Sequence, residues 1–518
     1  MIGMSHDMDF PRGRRTSFLL CLASALCYAG AFPPYGHPVF AWIALIPLLI
    51  AVKGSTPRQA FTIGWLTGWI TYALLLYWVM IVMGQYGHLP WYATIPLWLG
   101  LSAWLALFHG LAAYFIPVAS RARVPLALAL PAAVVTGDLL RSWLLTGFPW
   151  AMLGHSQAPW LPLIQIADLT GVYGITALIV LGNVTLYQVF FDGAPRRRSM
   201  VTLALLGLTL GYGTYRLSQP HASGSVMTVS LVQGNIDQSV KWSPEYRETT
   251  LDIFTTLSRS TAAQHPALVV WPESAAPFFF QEGSPSSQRI RAISRELGSN
   301  LLFGSPALEQ RDGRPHYLNS AFLLGPDGQN RGRADKLHLV PFGEYVPLAS
   351  LMPFVTKLVA GIGDFSPGTA ARPLPLTTSS AGVLVCYEAV FPEIARQYCQ
   401  NGSRVLVNIT NDAWFGRSSA PYQHLAMTVF RTIETRTPLI RAANTGISAI
   451  IDQHGRVCSQ TGLFIPAVLT GVITPGSADS PYLRIGDLFA WSALLVCIGI
   501  LILQYRQKKG TNDTSSFK

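Results

Sequence analysis

The chain has 518 residues, of which 50% are hydrophobic and only 12% are charged, with a mean hydropathy of +0.34. Soluble proteins usually carry about 25% charged residues, so this composition excludes an ordinary soluble globule. The net charge of +11 does not indicate a nucleic-acid partner, because the basic residues stand in short clusters between apolar segments and not on one folded face.

Apolar segments long enough to cross a bilayer occupy most of the first 217 residues and return near the C-terminus. A membrane-crossing helix needs about 20 apolar residues, and the segment 60–83 contains no charged residue. The predicted spans are 17–34, 38–52, 60–83, 91–118, 124–144, 161–191, 199–217 and 485–505. The second span is short, and a re-entrant or interfacial segment is its alternative.

The basic residues predict how these spans are oriented. Lysine and arginine favour the cytoplasmic side of a membrane, and they precede the first span and follow the second, fourth, sixth and last spans. The loops 35–37, 84–90 and 145–160 contain none. This alternation predicts eight crossings with both termini in the cytoplasm, so that segment 218–484 lies outside the cytoplasm; in a bacterium this is the periplasmic face of the inner membrane. Residues 12–30 also resemble a cleavable signal peptide, although the charge alternation favours an uncleaved anchor.

Segment 218–484 alternates between strand-like and helix-like patterns. The predicted strands cover 226–233, 267–271, 301–304, 320–325, 381–386, 404–409, 446–452 and 467–473. The predicted helices cover 244–263, 286–297, 391–399 and 422–434. This alternation predicts a layered α/β fold. The sequence therefore divides into a seven-span domain (1–217), an α/β domain (218–484), and a last span with a cytoplasmic tail (485–518).

Three of the six cysteines lie in predicted spans, where a small apolar thiol is an ordinary residue. The other three are Cys386, Cys399 and Cys458. Three thiols cannot all pair, so at least one is predicted to be free in an oxidising compartment. A bridge between Cys399 and Cys458 remains an alternative that the sequence does not decide.

Three chemically active side chains stand beside strand-like segments. Cys386 stands where a strand meets a helix, and there the helix dipole and a nearby cation favour the reactive thiolate. Glu273 follows Pro272 at a strand end, as a carboxylate able to take the thiol proton. Lys336 is a cation able to stabilise a developing oxyanion. Taken singly, a structural cysteine, a solvated glutamate and a surface lysine are the ordinary alternatives.

These residues and their surroundings resemble the nitrilase superfamily, with its Glu–Lys–Cys triad. The resemblance rests on Trp271-Pro272-Glu273-Ser274, Lys336 and Cys386-Tyr387-Glu388. Predicted membrane spans on both sides of segment 218–484 narrow the resemblance to the apolipoprotein N-acyltransferase family. The segments 238–242, 338–347 and 411–416 add to the resemblance, which covers almost the whole chain.

The resemblance implies eight transmembrane helices that carry an extracytoplasmic αββα sandwich. It also implies that Cys386 takes the sn-1 acyl chain of a phospholipid as a thioester. The acceptor would be the α-amine of an apolipoprotein's diacylglyceryl-cysteine. Glu273 would be the general base and Lys336 the cation that stabilises the oxyanion. The supporting residues that it implies are Glu344, Glu388, Tyr387 and Trp242.

Apolar segments beside the candidate residues predict contacts with lipid. Residues 276–280 follow the candidate base and residues 348–359 follow the lysine, while 414–415 could form a gate. Ordinary core packing is the alternative. The predicted substrate-loop residues are Phe278, Phe279, Phe280, Trp414 and Phe415.

The sequence contains no phosphate loop, no cysteine pair at zinc spacing and no histidine cluster, so neither a cofactor nor a metal is predicted. The predicted partners are a phospholipid donor and an apolipoprotein acceptor, without nucleic acid.

Two other functions are alternatives to this one. A membrane-tethered amidase would use water and need a small polar pocket. A transporter or receptor would need paired polar residues or broken helices at mid-membrane. Few ionisable residues lie near the spans, and an ion pair between Asp138 and Arg141 is a simple explanation for two of them.

Overall fold

The structure is a computed structural model that describes residues 13–515 except 194, 196, 220–224 and 346–363. The predicted loop 348–359 lies outside the described residues. The described chain contains a helical part up to residue 219, an α/β part over 225–473 and a final helix.

The helical part contains helices of very different length. These are Arg14–Ala29, Ile46–Val52, Pro57–Leu75, Trp91–Arg121, Leu126–Trp143, Val172–Phe191 and Arg197–Ser218, and the chain ends in Leu488–Ser515. By length and apolarity, four stretches within the described residues could cross a membrane: Trp91–Arg121, Leu126–Thr146, Val172–Phe191 and Leu488–Lys509. A fifth arises if Pro57–Leu75 and Trp78–Tyr86, bent by 53°, form one span. The chain is therefore a membrane protein, whereas the count of eight crossings stays a prediction.

Besides 60–83, which bends between Leu75 and Trp78, two further predicted spans are interrupted in the structure. The segment 38–52 is a 3₁₀ turn, Pro38–Trp42, followed by the short helix Ile46–Val52. The segment 161–191 is broken at Gly171, whose φ of +63° is a left-handed conformation that favours glycine. A Cβ atom there would also lie only 2.9 Å from the Tyr482 ring, so a close approach between chain segments adds to the requirement for glycine.

The described residues of the α/β part form twelve strands in two sheets. The strands are β1 Met227–Gln233, β2 Leu268–Val270, β3 Asn300–Arg311, β4 Arg314–Leu324, β5 Asn330–Asp335, β6 Leu374–Pro375, β7 Ser380–Val385, β8 Val405–Thr410, β9 Leu439–Ala443, β10 Ala449–Ile451, β11 Val457–Gln460 and β12 Ala467–Ile473. The first sheet has the order β12-β1-β2-β3-β4-β5 and the second has the order β11-β10-β9-β8-β7-β6. Strands β1, β2 and β3 are parallel, as are β7, β8 and β9.

Alternation along the strands explains how the two sheets pack. In β7, Val383 and Val385 belong to a buried cluster shared with the first sheet, whereas Leu384 belongs to a cluster on the opposite face. In β2, Val270 faces the shared cluster and Val269 faces away from it. Because side chains alternate between the two faces of a strand, both sheets bury both of their faces.

Helices cover the outer faces of the two sheets. Arg247–Arg259 and Pro285–Leu297 pack on the first sheet, where Phe254 and Ile290 share a buried cluster with Val269. Pro392–Gln400 and Ala420–Thr435 contribute buried residues to the cluster on the outer face of the second sheet, and the helical part contributes to the same cluster. The architecture is therefore a four-layer αββα sandwich resting on apolar helices.

A buried polar cluster also joins the helical part to the sandwich. Asp168 is fully buried, and its Oδ2 lies 2.5 Å from Arg436 Nη2 and 3.1 Å from Arg216 Nε. The Tyr212 hydroxyl donates to Asp168 Oδ1 at 2.8 Å, and Arg436 also donates to Gln165 Oε1 at 2.6 Å. This carboxylate thus balances two guanidinium groups from different parts of the chain.

We expect Asp168→Asn to destabilise the protein by about 3–5 kcal/mol, because removing one partner of a buried pair leaves an uncompensated charge. Glu296→Gln is the matched control, since Glu296 pairs with Arg259 at 2.8 Å on the surface, where such a pair contributes less than about 1 kcal/mol. Thermal unfolding in detergent should show a much larger drop in midpoint for Asp168→Asn. Equal shifts in the two variants would contradict the structural role of Asp168.

Candidate active site

Cys386 stands at the carboxyl end of β7, where the chain turns sharply. Its φ of +55° is a left-handed conformation that is uncommon outside glycine. A short 3₁₀ helix, Cys386–Val390, begins at this residue. The strand-to-helix turn predicted from the sequence is therefore present.

Glu273 lies on a second tight turn, just after β2. Ser274 has a φ of +49°, and Gly304 N donates to Pro272 O at 3.2 Å. A Cβ at Gly304 would lie 2.7 Å from Glu273 Cα, so only glycine allows this approach. The Glu273 carboxylate accepts hydrogen bonds from Asn411 N at 3.0 Å and from Asn319 Nδ2 at 2.8 Å. Both oxygen atoms are therefore fixed.

Lys336 follows β5 and is only 2% exposed. Its Nζ lies 2.9 Å from Glu344 Oε2 and 3.8 Å from Glu273 Oε1. Burial by itself would lower the pKa of Lys336, but Glu344, Glu273 and Cys386 raise that pKa above its ordinary value. The lysine therefore remains a cation, as an oxyanion-stabilising group must.

Glu388 forms hydrogen bonds with the chain that follows Lys336 and with the chain that precedes Cys386. Its carboxylate accepts hydrogen bonds from Leu337 N at 2.5 Å, from His338 N at 3.0 Å and from Val385 N at 2.7 Å. Burial raises the pKa of Glu388 to about 7, and these N–H groups oppose that rise. One buried carboxylate thus sets the spacing between the two segments.

Burial favours the thiol form of Cys386, although the predicted nearby cation acts in the opposite direction. Burial raises the pKa of Cys386 to about 12, and the Glu273 carboxylate raises it further, whereas Lys336 lowers it. The helix dipole and one cation do not outweigh burial and a nearby negative charge. A base must therefore remove the proton as the sulfur reacts, and Glu273 is the carboxylate with the largest electrostatic effect on the sulfur.

His338 does not provide that base. Its ring centroid lies 3.9 Å from that of Phe391, and burial lowers the pKa of His338 to about 4, with a further decrease from Lys336. The imidazole is therefore a weak base that packs against an aromatic ring.

The possible bridge between Cys399 and Cys458 is absent, since all six cysteines are free.

An aromatic cluster connects the cysteine segment to the helical part. The Tyr387 ring lies 6.4 Å from Trp150, which in turn lies 4.9 Å from Trp78. Phe415 lies 4.9 Å from Trp78, and Trp414 packs 5.6 Å from the Tyr86 ring. The predicted gate residues therefore contact the helix that follows the bend at 76–77.

In the predicted loop after Glu273, Phe278 and Phe280 belong to the same buried cluster, but they differ in whether they also line a cavity. Phe278 and Phe279 line a cavity of about 230 Å³ together with Trp242 and Arg247. Phe280 is only 1% exposed, and its ring packs 5.0 Å from Phe303 in the core. The prediction that Phe280 contacts substrate is therefore corrected: it is a core residue.

The sequence did not single out two polar residues of this site. Asn319, near the middle of β4, donates to Glu273 Oε1 and to Glu344 Oε1, both at 2.8 Å. Lys241 is 2% exposed and donates to the Glu273 carbonyl oxygen at 2.9 Å. A polar residue inside an apolar strand was the available signal for Asn319.

We expect Asn319→Ala to lower kcat by about 10- to 100-fold, because hydrogen bonds to charged groups contribute about 1.5–3 kcal/mol each. Without the amide, the Glu273 and Glu344 carboxylates lose the donor that they share. Asn330→Ala, at the exposed first residue of strand β5, is the control and should leave kcat within about twofold. Steady-state kinetics decides, and equal rates in both variants would contradict the role of Asn319.

The two sheets and the buried Glu–Lys–Cys cluster define a nitrilase-like catalytic domain. In agreement, residues 228–480 match the family model for carbon-nitrogen hydrolases. Residues 24–185 match the model for the apolipoprotein N-acyltransferase N-terminal domain.

Relatives align over nearly the whole chain. The apolipoprotein N-acyltransferase of Geobacter metallireducens is 48% identical over 508 residues, which cover 96% of this chain and 97% of that protein. The one from Methylococcus capsulatus is 33% identical, with coverage of 95% and 96%. The chain belongs to the apolipoprotein N-acyltransferase family.

Proposed function

We propose that this protein moves the sn-1 acyl chain of a phospholipid, through a thioester on Cys386, to the α-amine of the diacylglyceryl-cysteine of an apolipoprotein. The observation that carries the proposal is the Lys336 ammonium, which lies between the Glu273 and Glu344 carboxylates and acts electrostatically on the Cys386 sulfur. Membership of the apolipoprotein N-acyltransferase family supports the choice of substrates.

In the first half-reaction, Glu273 takes the thiol proton as the Cys386 sulfur attacks the ester carbonyl carbon. Lys336 stabilises the oxyanion of the tetrahedral intermediate. The carbon–oxygen bond then breaks, and the leaving alkoxide takes the proton from Glu273. The products are a thioester and a lysophospholipid.

In the second half-reaction, the α-amine of the apolipoprotein attacks the thioester carbonyl carbon and gives its proton to Glu273. The carbon–sulfur bond breaks, the product is an amide, and the Cys386 thiolate recovers its proton. The same base and the same cation therefore serve both steps.

A lipid donor fits the surroundings of the sulfur. Tyr387, next to the nucleophile, belongs to the aromatic cluster of Trp78, Trp150 and Phe415 that leads into the helical part. Aromatic side chains at this boundary suit acyl chains better than a small polar amide. We therefore prefer the acyltransferase to the tethered amidase.

The proposed location is the bacterial inner membrane, with eight crossings, the domains 1–217, 218–484 and 485–518, and the catalytic domain on the periplasmic side. The distribution of lysine and arginine between the predicted loops supports this orientation. Reporter fusions after residue 518 and within 218–484 should report opposite sides of the membrane.

The test of function is intact-mass analysis of purified protein mixed with a phospholipid labelled in its sn-1 chain. We expect one labelled acyl adduct, which then disappears when a diacylglyceryl lipopeptide is added and reappears as an amide on that peptide. Release of the label as free fatty acid despite the peptide would indicate a hydrolase. Absence of an adduct under conditions of full activity would overturn the thioester mechanism.

A further inference from the structure

Lys241 is a second buried lysine in the site that the steps above do not use. It lies in the loop between β1 and the helix Arg247–Arg259, and it is only 2% exposed. Its Nζ donates to the Glu273 carbonyl oxygen at 2.9 Å, and its charge interacts with the Glu273 carboxylate and with Cys386. A lysine at this depth needs an explanation, because burial of an ammonium group is costly.

The loop that carries Lys241 is fixed to loops of the second sheet. Asn444 accepts a hydrogen bond from Ile236 N at 2.9 Å and donates to Ile236 O at 2.8 Å. Gln238 Oε1 accepts from Asn411 Nδ2 at 2.6 Å, and Asn411 also binds the Glu273 carboxylate. Lys241 is therefore held in place and does not reach the site as a flexible surface side chain.

The charges around the sulfur give this lysine a specific task. Lys336 lies against the carboxylates of Glu344 and Glu273, while Lys241 donates to a neutral carbonyl. When Glu273 takes the thiol proton, Lys336 and Glu344 form a neutral pair. The new thiolate then interacts electrostatically with Lys241, which is the remaining unbalanced cation of these groups.

A further acidic group acts on Cys386 but is already balanced. Asp412 raises the pKa of Cys386, and its Oδ2 accepts a hydrogen bond from Arg441 Nη2 at 2.7 Å. Asp412 therefore does not use the charge of Lys241.

We propose that Lys241 is a positioning residue that anchors the main chain of the general base and supplies the positive charge that balances the Cys386 thiolate. This inference rests on the proposed function, since it concerns formation of the thioester. Its effect is a lower barrier to removal of the thiol proton.

The proposal has a pH signature. Burial lowers the pKa of Lys241 to about 8, although Glu273 and Cys386 oppose that decrease. Lys241 is therefore mainly an ammonium group below pH 8 and becomes mainly neutral as the pH rises above 8. Thioester formation should slow above pH 8, even though a higher pH favours deprotonation of the sulfur.

The experiment is single-turnover thioester formation with a labelled phosphatidylethanolamine in detergent, without any acceptor, from pH 6 to pH 10. Omitting the acceptor removes the titration of its α-amine. We expect Lys241→Met to react about 10- to 100-fold more slowly at pH 7 and to lose the decline above pH 8. Lys241→Arg keeps its charge and should retain its rate above pH 8. Lys53→Met, at an exposed lysine that pairs with Asp192, is the control.

A Lys241→Met protein with the rate and the pH profile of the wild type would overturn the inference while leaving the proposed function intact. If Lys241→Met is not properly folded, as shown by the loss of a cooperative unfolding transition, Lys241→Arg provides the test. A decline above pH 8 that is the same in Lys241→Arg as in the wild type would show that another group causes it and would overturn the inference. Failure of the wild type to form a thioester would instead overturn the proposed function, so the two failures are distinguishable.

Discussion

Replacing Cys386 by serine is expected to abolish the acyl adduct and to lower acyl transfer by at least about 1,000-fold. A hydroxyl is far less acidic than a thiol, and Glu273 and Lys336 act on a sulfur whose pKa is already raised to about 12. The loss should be chemical, because serine fits the left-handed turn at φ +55° as well as cysteine does. The melting midpoint should therefore stay close to that of the wild type.

Cys458→Ser is the matched control, since Cys458 is an exposed free thiol in the same part of the chain. Intact-mass analysis with labelled phospholipid should show the adduct on this variant and on the wild type, but not on Cys386→Ser. An adduct of equal amount on Cys386→Ser would place the acyl group on another residue and contradict the assignment.

The strands that the sequence predicted well are those whose pattern reports burial. The parallel strands β7 and β8 are short apolar segments, and a strand buried on both faces has that appearance. β3 was predicted over 301–304 but extends to Arg311. The prediction ended too early because the second half of the strand is polar, and this half is held by pairing with β4 in a hairpin. The turn at Asp312-Gly313, with positive φ at both residues, is a hairpin signal that was present in the sequence.

Strand β9 was missed because it contains a buried charge. Arg441 is completely buried, and its Nη2 donates to Asp412 Oδ2 at 2.7 Å. A pattern that assigns arginine to the surface cannot recognise a strand in which a distant carboxylate compensates the charge. The edge strand β6 has only two residues, too few for any pattern.

Glu273, Lys336 and Cys386 were proposed through a resemblance, which did not predict the side chains that hold them in place. Asn319 and Glu273 are 46 residues apart in the chain, and their contact follows from strand pairing within the first sheet. The sequence predicted a cation that favours the Cys386 thiolate but not the burial that outweighs it, because burial depends on the assembled fold.

Replacing Glu273 by glutamine should separate two reactions of the same sulfur. We expect thioester formation to slow by about 100- to 10,000-fold, the usual contribution of a general base. Alkylation of Cys386 by iodoacetamide should instead become faster at neutral pH. The Glu273 carboxylate raises the pKa of Cys386, so an uncharged amide in its place favours the thiolate beside Lys336.

The opposite signs follow from what each reaction needs. Alkylation consumes a thiolate and releases iodide, whereas acylation also needs a proton for the leaving alkoxide, which Glu273 supplies. Glu309→Gln, at a half-exposed carboxylate of the same sheet that pairs with Arg311, is the control and should change neither rate by more than about twofold. If both rates fall together in Glu273→Gln, the carboxylate is needed to form the thiolate for alkylation as well. That result would contradict the inference that Glu273 raises the pKa of Cys386.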